Sequence, residues 1–162
     1  MALDKIDEDI TENSSDKLSL RVWLRLLSCT QIIQRDIRVQ FREEFKTTLA
    51  RFDVMAQLHS AQSPLTMQVL SKRLMVTGGN VTGLVDTMLK DGLVSRSPHP
   101  EDGRSILVCL TRKGEKLFAR MAARHQHWIT KIVGTLDTDE QTLLLGLLGR
   151  LKASALALEH TD

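Results

Sequence analysis

Residues 65–110 constrain this chain more than any other stretch, because they dictate two short helices followed by a strand pair with a basic tip. Thr66 heads an apolar-periodic run from Met67 to Leu74, with Leu70 and Leu74 four apart on one face. Thr77 heads a second run, in which Val81, Leu84, Val85 and Met88 recur at helical spacing. The opposite face of that second helix is small and polar: Gly79, Asn80, Thr82, Gly83 and Asp86. Gly92 is placed to end it as a C-terminal cap. Residues 93–97 read as a strand, 98–104 as a polar tip and 105–110 as the return strand. Helix, turn, helix and a two-stranded wing is a layout that places one helix against the base edges of DNA.

The rest of the chain reads as helix. Residues 1–16 are polar and acidic and are expected to form a disordered tail. A first long helix is expected over 17–45, with Leu20, Leu24, Leu27, Ile33, Ile37 and Phe41 at helical spacing. A second apolar set on it, including Val22, Trp23, Leu26 and Ile32, broadens the stripe and calls for more than one packing partner. A shorter helix is expected over 49–60, then a turn over 61–65. After the wing, a helix is expected over 111–133 with Gly134 as its stop, and Asp137 or Thr138 caps a last one. There Leu144, Leu148, Leu151, Ala155 and Leu158 make a heptad-like seam.

The fold class is therefore mainly α with a small β wing. The expected organisation is a tail (1–16), an N-terminal dimerisation helix (17–48), a winged helix-turn-helix (49–112) and C-terminal dimerisation helices (113–162). Terminal helices with more apolar surface than one short chain covers point to a homodimer.

Composition excludes several classes. No uninterrupted apolar run approaches the roughly 18 residues of a membrane span, and no basic start followed by an apolar stretch suggests a secretory signal. Cys29 and Cys109 make neither a disulfide framework nor a metal site and read as free thiols of a cytoplasmic protein. The five histidines lack ligand spacing, so neither metal nor cofactor is expected. No Ser/His/Asp set, nucleotide-binding glycine loop or pair of acids is placed for catalysis, so an enzyme is not expected. Within residues 1–16, six acids face Lys5 alone, so the remaining body is more basic than the net charge of +2 implies. A basic body suits a polyanionic partner.

The DNA-contact candidates follow from the layout. Thr77, Gly78, Gly79 and Asn80 open the second helix, where free backbone N–H groups favour phosphate and glycines permit close approach. Asn80 has the amide for an adenine edge and Thr82 the methyl for a thymine, with Gly83 beside them. Two glycines in the first turn cost about 1 kcal/mol each against alanine and need a reason. Asp102 can fix Arg104 for insertion in a narrow minor groove, with Gly103 allowing the turn. Ser71, Lys72, Arg73 and Arg96 are candidates for phosphate. Trp23, Arg38, Phe41, Arg51, Phe52 and Met55 combine aromatic, apolar and cationic groups near one junction of helices, a make-up suited to an apolar ligand with an acidic group.

At these residues the chain resembles the MarR family of winged-helix regulators. The resemblance runs through Leu65-Thr66-Met67-Gln68-Val69-Leu70-Ser71, Leu84-Val85-Asp86 and Asp91-Gly92-Leu93-Val94. It continues through Pro100-Glu101-Asp102-Gly103-Arg104 into Leu110-Thr111-Arg112-Lys113-Gly114. It is sharpest over 52–114. The resemblance implies a homodimer whose first and last helices interlock, repression from a palindromic site on double-stranded DNA, and wings that reach the minor groove at Arg104. It also implies release by a small molecule, commonly aromatic and acidic. The runs Arg21-Val22-Trp23-Leu24 and Arg51-Phe52-Asp53 also resemble a subgroup tied to aromatic-acid catabolism, some members of which answer to aryl-CoA thioesters. In that subgroup Arg38 and Arg51 would meet a carboxylate or the CoA phosphates. The pattern departs at Gly78 and Gly83, where many members carry a basic or polar side chain, so an operator sequence does not transfer. The competing reading is a winged-helix module used only for protein–protein contact, without salt-dependent affinity for duplex.

Overall fold

The computed structural model describes residues 15–75, 78–102 and 104–158. The expected tail (all but Ser15 and Asp16), Thr77 and Gly103 lie outside them. The helices are α1 (Ser15–Phe45), α2 (Leu49–Ala61), α3 (Met67–Leu74), α4 (Gly78–Lys90), α5 (Arg112–Val133) and α6 (Thr138–Leu158). The strands are β1 (Leu65–Thr66), β2 (Val94–Pro98) and β3 (Ile106–Leu110). The chain forms two compact units, one ending at Ala123 and one beginning at Arg124, with the boundary inside α5.

The caps follow the sequence. The Thr66 hydroxyl accepts from the Val69 N–H at 3.3 Å, and Thr48 does the same for Arg51 at the start of α2. Gly92 adopts φ +68, with its N–H on the Leu89 carbonyl and the Leu93 N–H on the Met88 carbonyl, both at 2.9 Å. Those two bonds make a Schellman stop, which a glycine accommodates without Cβ strain. At α6 the structure selects Asp137. Its carboxylate accepts from the Glu140 N–H while Glu140 accepts from the Asp137 N–H, both at 2.9 Å, a reciprocal capping box.

One element differs in kind from expectation. The wing is three-stranded, in the order β1-β3-β2, because Leu65 and Thr66 pair antiparallel with Val108 and Leu107. The expected turn over 61–65 thus ends in a strand. Two residues are too few for any periodicity to show. The other boundaries shift slightly: α1 starts at Ser15, two residues early, and β3 starts at Ile106.

The core of the first unit collects Val54, Met55, Leu58, Leu65, Leu70, Val81, Val85, Met88, Val94 and Val108, all nearly inaccessible. Beside it the rings of Phe41 and Phe52 lie 4.8 Å apart, and those of Phe52 and Phe118 5.6 Å. The wing root is latched to α5. The Thr111 hydroxyl donates to the Gly92 carbonyl at 2.7 Å and accepts from the Gly114 N–H at 3.1 Å. A Cβ on Gly114 would stand 2.1 Å from the Leu93 carbonyl oxygen, so only glycine fits there.

In the second unit no residue of α6 is buried, and its leucines face outward. By length and composition α6 is also apolar enough to cross a membrane, with a mean hydropathy of 1.2. That departs from the expectation of no such stretch. Gly146, Gly149, Arg150 and Lys152 interrupt the apolar run, and only the average over the helix shows it.

Candidate nucleic-acid interface

Helix α4 is anchored by Val81, Val85 and Met88, which leaves its outer half free. Gly79 and Gly83, four apart, run along the outermost line, and Gly78, Gly79, Asn80, Thr82 and Gly83 are all exposed. A Cβ at Gly78, Gly79 or Gly83 would meet nothing within 4 Å. The fold thus requires Gly114 but not these three. Gly83, inside the helix, weakens it by about 1 kcal/mol relative to alanine, and none of the three has a packing reason among the described residues.

The two sides of that glycine line differ. On the α3 side Gly78 and Thr82 share an open cleft of about 280 Å3 with Met67, Gln68, Ser71 and Lys72. The Thr82 hydroxyl donates to the Gly78 carbonyl at 3.0 Å. On the α2 side Asn80 and Gly83 line a larger cleft, about 620 Å3, with Ala50 and Asp53. Asn80 and Thr82, two residues apart, point about 160° from each other around the helix. They cannot read neighbouring base edges from one side, as one polar face would suggest. Asp53 keeps access to water, yet partial desolvation raises its carboxyl above the ordinary value while Arg38 pulls it down. Gln68 and Asp53 occur in the sequence only inside the runs that carry the family resemblance, and their spacing gives neither a role of its own.

Around the helix, Lys72 and Arg73 are exposed in the last turn of α3, while Ser71 is half-buried. Arg96 is not a free cation. Its Nη1 pairs with Asp86 of α4 at 2.5 Å, and its Nε is buried without a hydrogen-bond partner. The side chain expected at a phosphate ties the wing to α4 instead, because the pleat of β2 points it inward.

At the wing tip Arg104 is exposed. Asp102 accepts from the Ser105 hydroxyl at 2.5 Å and from the Arg104 backbone N–H at 3.1 Å. It therefore fixes the backbone under Arg104, as an Asx-type turn does, and leaves the guanidinium outward. Those two bonds, the hydroxyl first, hold the Asp102 carboxyl below its ordinary range.

Among the described residues, the six ligand candidates are not brought together in one cleft. Phe41, Phe52 and Met55 are core residues. Arg51 is ion-paired with Asp91. Arg38 is exposed and donates to Gln34 at 2.8 Å. Trp23 is exposed 18 residues before Phe41 on α1, about 27 Å along the axis. Helical periodicity brings residues to one face but does not tell a lined cavity from a filled one.

The MarR family pattern matches residues 47–106, which cover α2, the helix-turn-helix and most of the wing. The HTH-type transcriptional regulator YkoM of Bacillus subtilis is 30% identical over 128 residues, 79% of this chain and 80% of its own length. The chain belongs to the MarR family. Another relative, the HTH-type transcriptional repressor YetL of the same organism, is 31% identical over 102 residues, 62% of this chain and 61% of its own length. Among solved structures, a mutant MarR from E. coli complexed with operator DNA superposes with a TM-score of 0.74 at 24% identity, over 86% of this chain and 99% of that one. Membership makes this chain a DNA-binding transcriptional regulator, and regulators of the MarR family are not enzymes. The mainly helical winged helix-turn-helix fold is the one that E. coli MarR adopts.

Proposed function

We propose that this chain is a homodimeric, cytoplasmic repressor that binds a palindromic operator and is released by a small anionic aromatic effector, an aromatic acid or its CoA thioester. The observation that carries the DNA reading is the outer face of α4. Three exposed glycines with no role in packing lie beside Asn80 and Thr82, and an exposed Arg104 stands on a braced wing tip. In this reading α4 enters the major groove, with the glycine line letting its backbone approach closely, and Arg104 enters the minor groove. Gly78, Gly79, Asn80, Thr82, Gly83 and Arg104 are the contacting residues. Thr77, Ser71, Lys72 and Arg73 steady the phosphates, and Asp102 positions Arg104. Repression is favoured by the relative YetL, a repressor by name.

Dimerisation is favoured by the uncovered leucines of α6 and by Leu18, Leu20 and Trp23 of α1. A second copy would cover these faces, and Arg150 and Lys152 on α6 suit a water-facing rim better than lipid. With Phe41, Phe52 and Met55 in the core, an effector would meet Arg38 at a site completed by the partner. The domain boundaries at 48 and 112 remain those proposed from the sequence.

The test is titration with duplex from the DNA upstream of the chain's own gene, at several salt concentrations, with and without aromatic acids and their CoA thioesters. Affinity that falls steeply with salt and is abolished by one compound class supports the whole reading. Equal affinity for that duplex and random DNA rejects the operator, and a response to none of the compounds rejects the effector class.

A further inference from the structure

A third cleft, about 480 Å3, opens where the end of α1 meets the start of α2, and Arg38, Arg42 and Lys46 line it together with Thr47 and Ala50. The three cations follow one another at steps of four residues, about 6 Å of rise each. Among the described residues no acidic side chain lines the cleft, although Asp53 lies close enough to Arg38 to feel its charge. Arg38 is held by Gln34, whereas Arg42 and Lys46 have no side-chain partner among the described residues. Lys46 also has a positive φ of 52. That left-handed position at a helix stop usually falls to glycine, so a lysine there costs conformational energy while its charge serves no contact among the described residues.

Location decides between possible anions. Ala50 lines both this cleft and the one beside Asn80 and Gly83, so the cations continue the surface that α4 presents. We propose that Arg42 and Lys46 bind a phosphate of the DNA backbone flanking the bases that α4 faces. This rests on the reading that α4 enters DNA. It extends the interface beyond the helix-turn-helix and wing, and it adds affinity without sequence information.

Arg42→Gln and Lys46→Gly test it, with wild type alongside, on upstream duplex and on random duplex between 50 and 200 mM salt. Each variant is expected to lose affinity by the same factor on both duplexes. The slope of log affinity against log salt should fall by about 0.9 per phosphate lost, so the wild-type advantage shrinks about threefold over that range. Lys46→Gly relieves the left-handed backbone, so its melting temperature should equal or exceed wild type, which separates lost contact from misfolding. Wild-type affinity and slope in both variants overturn the proposal. So does intact DNA binding with loss of inorganic pyrophosphate binding by calorimetry, which would assign the cleft to a soluble anion. Failure of the wild type itself to bind either duplex removes the DNA reading and this proposal with it.

Discussion

The helix-turn-helix with its wing and the last helix are both rich in aliphatic residues, yet they treat them in opposite ways. In the first, Leu70, Val81, Val85, Met88 and Val108 are at most 1% exposed. In α6, Leu143, Leu145 and Leu158 are each at least 65% exposed, and the start of α1 likewise leaves Leu18 and Trp23 more than half open. The middle of the chain is buried within this chain, with Phe41 and Phe118 of the flanking helices closing its core. The ends carry apolar area that a single chain leaves wet and that the proposed second copy would cover. The lesson concerns energy rather than composition: a leucine stabilises the fold only where neighbours exclude water from it.

Four outcomes would break or sharpen that contrast. The largest concerns the buried region. Phe52→Ala removes a ring packed between Phe41 and Phe118 and should cost about 3–5 kcal/mol in denaturant unfolding. Leu145→Ala in α6 should cost almost nothing in the monomer; similar losses for the two would erase the distinction.

Next comes the interface. Leu144→Glu with Leu151→Glu should convert a dimer to a monomer in sedimentation equilibrium, and operator affinity should fall on the order of a hundredfold as the two half-sites are no longer held together. A variant that stays dimeric would assign those leucines another partner.

The third pairs two glycines. Gly83→Ala should raise stability by about 1 kcal/mol by restoring helix propensity, and should weaken operator binding if the DNA backbone or bases come close there. Gly114→Ala, which drives a Cβ into the Leu93 carbonyl, should lower the melting temperature instead. Tighter DNA binding by Gly83→Ala would remove close approach as the reason for the glycine.

The smallest is the pH response of the wing. The Asp102 carboxyl is lowered by the Ser105 hydroxyl and the Arg104 N–H, so the order it gives the tip is complete above the unfolded pKa. That order is lost as pH falls through the lower folded value. The Arg104 and Ser105 amide resonances should titrate with a midpoint below 3.8, and Asp102→Asn should abolish the transition. A midpoint at or above 3.8 would mean that the bonds are not made in solution.

Most of the fold was legible in the residues. Thr66, Gly92 and Asp137 mark helix ends through their own short-range chemistry, and the 3.6-residue period of Val81, Val85 and Met88 marks the inner face of α4 without reference to any other element. The outward direction of Gly79 and Gly83 then follows from that inner face. Less legible was β1, two residues whose strand character comes wholly from pairing with β3.

Side-chain assignments beyond the helix face needed the tertiary structure, because each depends on what another element brings. Arg96 and Arg51 look like free cations until Asp86 and Asp91 are folded against them. Phe41, Phe52 and Met55 look like ligand contacts until Phe118 arrives to close the core. The sequence by itself determined the elements, their caps and the exposed glycine face, since local spacing and backbone chemistry suffice for those. Only tertiary structure decided which charges are spent and which aromatics are buried, because pairing and burial are properties of neighbours far apart in the chain.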